Sequence, residues 1–313
     1  MFRIALAGLL FLVSFAAQAA EPIARLPYRF DYGGWFTVSA TVNGQGPYDF
    51  IIDTGSSHSL VFENLAEQQH FPPSGGPQQT VLGLVSSGKY PTYKVGDIAL
   101  GAAVLENAVT VILTDWKVDE RSPQGVIGLD FLKHYRAVFD GERRELLLYR
   151  AGDAIDPAYE AWDEVSLTAS DFSREAGYLY TLEARLNRAS VRFLLDLGAA
   201  GTVVNRLGYS RAMQSEVSIK IAPRTTTTPI GRVTDALDNR VRAQSARINK
   251  IRTGKINWGA AVVIVHDASI FSDLGVVEEP FGLFGADMFR DRSFVLDFAA
   301  ERILVGPKAR KNS

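Results

Sequence analysis

Apolar and polar residues alternate along most of this chain, and turn residues break the alternation at corresponding places in its two halves. Ile23 to Tyr32 and Gly34 to Val42 switch face with a period of two, the pattern of strands with one buried side. Asn43-Gly44 follows, and both residues tolerate the positive φ of a tight hairpin turn, so Trp35–Val42 and Tyr48–Asp53 are predicted to pair antiparallel. The apolar run Phe50-Ile51-Ile52 then carries Asp53 from a buried strand into the turn Thr54-Gly55-Ser56-Ser57. The second half repeats this: Gly177–Leu186, a turn at Asn187-Arg188-Ala189, then Val191–Asp196, with Leu197-Gly198-Ala199-Ala200 beyond. Asp196 stands 143 positions after Asp53.

Downstream the correspondence continues. Val95–Leu100 with Gly101, followed by Val104–Leu113, is similar to Ala246–Ile251 with Gly254, followed by Ala260–Val265. Gly125-Val126-Ile127-Gly128-Leu129-Asp130-Phe131-Leu132 answers to Gly282-Leu283-Phe284-Gly285-Ala286-Asp287-Met288-Phe289. Each element is followed at one spacing by an aspartate, Asp140 or Asp297, and then by the apolar runs around Leu147 and Leu304. Two copies predict a pseudo-dyad rather than a solenoid, which needs three or more. The seam falls between Asp156-Pro157 and Glu164, so the expected divisions are a leader at 1–20, one unit at 21–157 and another at 158–313. Helical signals are few; Ser59–Gln69 and Asp130–Tyr135 are the predicted helices in a mainly β chain.

Composition narrows the classes of function. With 313 residues, 47% of them apolar and 11% aromatic, the chain has ample material for packed cores. A formal net charge of −2 leaves no basic footprint for displacing counterions from phosphates, so no nucleic-acid partner is expected. Met1-Phe2-Arg3, the apolar stretch Ile4–Ala17 and the small residues Ala17-Gln18-Ala19 have the form of a secretory signal cleaved after Ala19 or Ala20. That stretch is shorter than the roughly 20 residues a bilayer span needs, so no stable membrane anchor is expected after cleavage. The chain has no cysteine, which excludes disulfides, thiol chemistry and cysteine metal ligands. An exported protein without disulfides suits a bacterial periplasm, or secretion. His58, His70, His134 and His266 never fall at metal-ligand spacing, and no Gly-x-Ser-x-Gly elbow is present, so neither a metal site nor a serine nucleophile is expected.

The apolar pair, Asp53-Thr54-Gly55-Ser56-Ser57, and Ile127-Gly128-Leu129-Asp130-Phe131-Leu132 with its Gly 75 residues after the Asp, resemble the aspartic proteases. They resemble retropepsin-like bacterial aspartyl proteases more than full-length pepsins, here with two tandem units in one chain. The resemblance implies a mainly β, bilobal pepsin/retropepsin-like acid protease fold, with two pseudo-dyad-related β-barrel-like lobes. It implies a monomer that hydrolyses polypeptide or peptide substrates through a water held between Asp53 and Asp196, with no cofactor. Two carboxyls at hydrogen-bonding distance share one proton and titrate as a pair. By the same resemblance, Gly55 and Gly198 bring backbone amides to the carboxyls. Thr54 hydrogen-bonds across the dyad, and the Ser56 hydroxyl bonds the outer oxygen of Asp53. A flap at Val81–Tyr93, with Ser86, Ser87, Gly88 and Tyr90, closes over substrate, and Thr225–Val241 forms its counterpart. Asp130, Asp287, Asp140 and Asp297 are expected to cap turns and helix starts.

The second motif departs from the pattern, because Leu197 stands where a Thr is expected and Ala199 where a Ser is expected. Weaker stabilisation of the charged form is then expected to raise the pair's pKa values. The same departure keeps open a peptide-binding protein that retains the protease cleft without its activity, and a periplasmic ligand-binding β protein in which the aspartates are polar anchors.

Overall fold

The computed structural model describes residues 20–31, 33–84, 86–115, 122–172, 178–214, 228–234 and 240–309. Residues 1–19 of the predicted leader lie outside these residues, as do 225–227 and 235–239 of the second expected flap.

The turn chemistry sets the first hairpin. Strand Phe36–Val42 pairs antiparallel with Gln45–Ile52, Val42 opposite Gln45, around Asn43 and Gly44 at φ of 50° and 75°. These strands join Leu60–Phe62, Thr92–Leu100, Ala103–Leu113 and Gly125–Ile127 in a closed six-stranded barrel. The barrel shuts where Thr41 and Val42 pair with Ala99 and Ile98. Closure removes the sheet edges that would otherwise expose unpaired amides.

A second six-stranded barrel has the same strand order: Tyr178–Leu186, Ala189–Asp196, Val203–Val204, Arg240–Thr253, Ile256–Val265 and Phe281–Gly285. It shuts through Arg185 and Leu186 against Arg252 and Ile251. In both barrels the strand ending at the aspartate runs parallel to the later Gly-rich strand, with Ile52 opposite Ile127 and Asp196 opposite Gly285. The fold is mainly β and bilobal, of the retropepsin-like kind.

A six-stranded sheet joins the lobes, and at its centre Tyr135–Asp140 pairs antiparallel with Arg292–Asp297. Val138 faces Val295, while Ala137–Leu296 and Phe139–Phe294 flank that pair, as self-complementary pairing about a pseudo-dyad requires. Phe139 and Phe294 stack with centroids 4.4 Å apart, and Phe36 from the first barrel packs edge-on against both. Each fully buried Phe side chain contributes about 1.5–3 kcal/mol by leaving water. The floor beneath the cleft is therefore stiff.

Two helix expectations need correction. Of Ser59–Gln69 only Glu63–Gln69 is helical, because Leu60-Val61-Phe62 is buried throughout and forms a barrel strand instead. Of Asp130–Tyr135 the helix covers Leu129–Leu132, and Tyr135 already begins the interlobe strand. The helices Pro157–Glu160, Arg206–Gln214 and Ser269–Asp273 were not foreseen. Among the described residues no helix is long and apolar enough to cross a membrane.

Candidate active site

The strand Gln45–Ile52 delivers Asp53 to the interlobe cleft, and Ala189–Asp196 ends on its counterpart. The two carboxyls lie side by side, close enough to titrate as a pair. Each loop's glycine leans on the opposite acid: a Cβ on Gly55 would lie 2.6 Å from Asp196 Cγ, and one on Gly198 would lie 2.3 Å from Asp53 Cγ. Those are forbidden contacts, so the close approach requires glycine at both positions, for lack of room rather than for backbone freedom.

Backbone amides converge on the pair. The Gly55 N–H donates to Asp53 Oδ1 at 2.8 Å, and the amides of Ser56 and Gly198 also face this carboxyl. The Ala199 N–H donates to Asp196 Oδ1 at 2.9 Å. Burial pushes both acids above the usual carboxylate range, and the charge of Asp53 beside it drives Asp196 well above. The donors around Asp53 hold its rise in check. The two acids therefore titrate as a pair that shares one proton.

Thr54 is buried and reaches the other lobe: its hydroxyl donates to the Leu195 carbonyl at 2.9 Å and accepts from the Leu197 amide at 3.0 Å. The group it grips is backbone, so the missing threonine at 197 leaves this bond intact. Leu197 itself is fully buried in the core. The expected role of the Ser56 hydroxyl is corrected, since it donates to the His58 carbonyl at 2.7 Å while the Ser56 amide faces Asp53. His58 is exposed, its Nδ1 3.0 Å from Ser57 Oγ.

Behind the loops, the remaining acids act as braces. Ser59 donates through both N–H and Oγ to Asp130 Oδ1, and Thr202 Oγ1 donates to Asp287 Oδ1 at 2.8 Å. The same hydroxyls accept from the amides of Gly128 and Gly285, tying each aspartate loop to its Gly-rich strand. A Ser or Thr six residues after each aspartate, matched by an Asp two after each Gly, was the sequence signal for this brace. Asp140 accepts from the amides of Glu142 and Arg143, and Asp297 from Ala300 and Arg302, so both close turns in the interlobe sheet.

The first flap is a two-stranded hairpin, Gln79–Leu82 with Ser87–Tyr90, shorter at its C-terminal side than expected because Thr92 already opens a barrel strand. Ser86 lies in its bend, and Ser87 and Gly88 face Leu82 and Val81 across it. Tyr90 packs with Trp35 and Val81 over the small core of Ile51, Leu60 and Phe62. Between this hairpin and Asp53 lies a pocket lined by Ser57, Thr80, Leu82, Phe62 and Leu113, and walled on the second lobe by Leu179, Ile270 and Leu274. The Ser269 hydroxyl meets the Leu84 carbonyl at 3.4 Å, bringing the flap's bend onto that wall. Of the second expected flap, Thr228–Thr234 pairs with Arg240–Ser245.

Two residues that sequence reasoning passed over reach the second loop. Trp35 Nε1 donates to the Gly198 carbonyl at 2.6 Å, and Arg290 bridges the Gly34 and Ala200 carbonyls at 2.8 and 2.6 Å. Nothing local in the sequence marks them, since their partners are main-chain atoms far along the chain.

Fold and site define a bilobal acid-protease architecture, with its acids meeting at a pseudo-dyad. Residues 38–131 match the family described as aspartyl protease, and the matched segment carries the first hairpin, the Asp-Thr-Gly loop and the Gly128–Phe131 element. The first lobe is thus similar to the aspartyl proteases over that segment. Among curated proteins none matches the chain.

Proposed function

We propose that this protein is an aspartic endopeptidase in which Asp53 and Asp196 activate one water for peptide-bond hydrolysis. The observation that carries the reading is the pair of adjacent carboxyls, each backed by the glycine of the opposite loop. Asp53, ionised, takes a proton from a water lying between the acids as its oxygen attacks the scissile carbonyl carbon. Asp196 gives its proton to the carbonyl oxygen, and a gem-diol forms. Asp53 then protonates the amide nitrogen, a gem-diol hydroxyl returns its proton to Asp196, and the C–N bond breaks. Every proton is accounted for by the two acids and water. The pocket beneath the first flap receives a substrate side chain, and the flap excludes bulk water.

The proposal extends to the chain's organisation: a cleaved leader at 1–20, tandem units at 21–157 and 158–313, a monomer in solution and a periplasmic or secreted location. The absence of a Thr at 197 and a Ser at 199 keeps open a second reading, a protein that binds peptides in the cleft without cutting them. One experiment separates the two: wild type, Asp53→Ala and Asp196→Ala are incubated with a diverse peptide library between about pH 3 and pH 7. Cleavage by wild type and loss in both variants is expected. Cleavage surviving Asp196→Ala would sink the two-acid mechanism, and peptide retention without cleavage would favour the binding groove.

A further inference from the structure

The second aspartate loop lacks both hydroxyls, yet its peptide groups are held as firmly as those of the first. The Leu195 carbonyl accepts from Thr54, that of Gly198 from the Trp35 indole, that of Ala199 from the Ala286 amide and that of Ala200 from Arg290. One of these contacts bears directly on Asp196. In a trans peptide the C=O and N–H point in opposite directions. With the Gly198 carbonyl drawn outward to Trp35 at 2.6 Å, the N–H of the same peptide group points inward, where it meets Asp196 Oδ1 at 2.9 Å. Arg290 holds the Ala200 carbonyl, two peptide groups further on, and anchors the chain beside Trp35 through Gly34, which a hydrogen bond to Asp31 also holds in its turn.

We infer that Trp35 and Arg290 are positioning residues for Asp196, aligning through two backbone carbonyls the Ala199 amide that donates to its carboxyl. The arrangement is one-sided. Leu179, which holds the register position of Trp35 in the second barrel, has no side-chain donor, and Lys133 corresponds to Arg290. The first aspartate loop therefore has no matching indole, and the second has one. Both residues act through the backbone and touch neither the reacting water nor the substrate.

The kinetic part of the test rests on the peptidase reading, so a readout independent of turnover goes with it. Protein labelled with ¹³C at aspartate carboxyls is titrated by NMR, the dyad signals being assigned by their loss in Asp53→Asn and Asp196→Asn. Trp35→Phe keeps a ring and removes the N–H. Loosening the Ala199 amide withdraws a donor from ionised Asp196, so the upper titration of the pair moves to higher pH. On any peptide that wild type cleaves, kcat falls about tenfold with KM within about twofold, and the alkaline limb of the rate profile moves up with the titration. Arg290→Lys, which cannot bridge two carbonyls in one plane, shifts both in the same direction by less. An unmoved titration in folded Trp35→Phe, or a variant that loses only thermal stability, would overturn the inference. Were Trp35→Phe not to fold, benzothienylalanine at position 35 makes the same test with sulfur replacing the N–H at unchanged ring size. Were wild type to cleave nothing, the peptidase reading would fall while the NMR titration still decided the positioning role.

Discussion

Thr54→Val is the sharpest test of how the lobes are joined at the site. The hydroxyl lies in the first lobe, is about 1% exposed, and bonds two main-chain groups of the second, the Leu195 carbonyl and the Leu197 amide. Valine keeps the shape and orphans both partners where water does not reach. A buried polar group left without a partner costs about 1–3 kcal/mol, so two of them, less some local relaxation, give an expected loss of about 2–4 kcal/mol. Thr110→Val provides the internal scale: that hydroxyl is equally buried but serves a single acceptor, the Ser59 carbonyl, within one lobe. It should cost about half as much, about 1–2 kcal/mol. Urea unfolding followed by tryptophan fluorescence measures both, with an unchanged m-value required before the midpoints are compared. Because Leu195 and Leu197 flank Asp196, Thr54→Val should also lower turnover. A loss below about 0.5 kcal/mol for Thr54→Val, or a smaller loss than for Thr110→Val, would refute the claim that one hydroxyl joins the loops across the dyad.

Other outcomes follow from the same geometry. Ser56→Ala removes a hydroxyl bonded to the exposed His58 carbonyl and not to Asp53, so kcat should stay within about threefold of wild type; a loss of about a hundredfold would restore the serine to the carboxyl. Asp196→Asn should abolish cleavage and stabilise the fold near neutral pH. The folded pKa of Asp196 is raised above the unfolded value, so its stabilising effect is complete below the unfolded carboxyl range and is lost as pH rises through the raised value. Thermal unfolding scanned from acid to neutral pH should show the variant's advantage growing with pH, and an advantage that grew towards acid would reverse the assignment. Arg136→Met removes a buried cation that contacts Asp297 of the second lobe at 3.0 Å, donates to the Asp153 carbonyl and pairs with Glu160. It should cost about 3–5 kcal/mol in urea unfolding, as breaking a buried pair does, and a near-neutral result would show the pair to be solvated.

What was legible in the sequence is what local chemistry decides. The residues of the two hairpin turns carry left-handed φ, 50° at Asn43 and 55° at Asn187, and Gly101 and Gly254 do the same at 62° and 53° between the next strands. Period-two alternation placed the strands that these turns connect, and with them both aspartates at equivalent strand ends. Leu60-Val61-Phe62 misled because a three-residue apolar run has no period, and its place between two strands was decided by partners far along the chain. The interlobe sheet was illegible for the same reason: the symmetric contact of Val138 with Val295 is a property of assembly, invisible in either segment alone.

At the site, sequence reasoning compared side chains and found two hydroxyls missing from the second loop. The structure answers in backbone. Thr54 grips an amide and a carbonyl that any residue at 195 and 197 would present, and Asp196 takes its donor from the amide of Ala199, which needs no side chain at all. Leucine at 197 is therefore free to serve the core, where it is fully buried, while the loop is steadied from outside by an indole and a guanidinium. The mutations that damage such a loop are those that move its peptide planes, and the motif Asp-Leu-Gly-Ala understates how completely the acid is held.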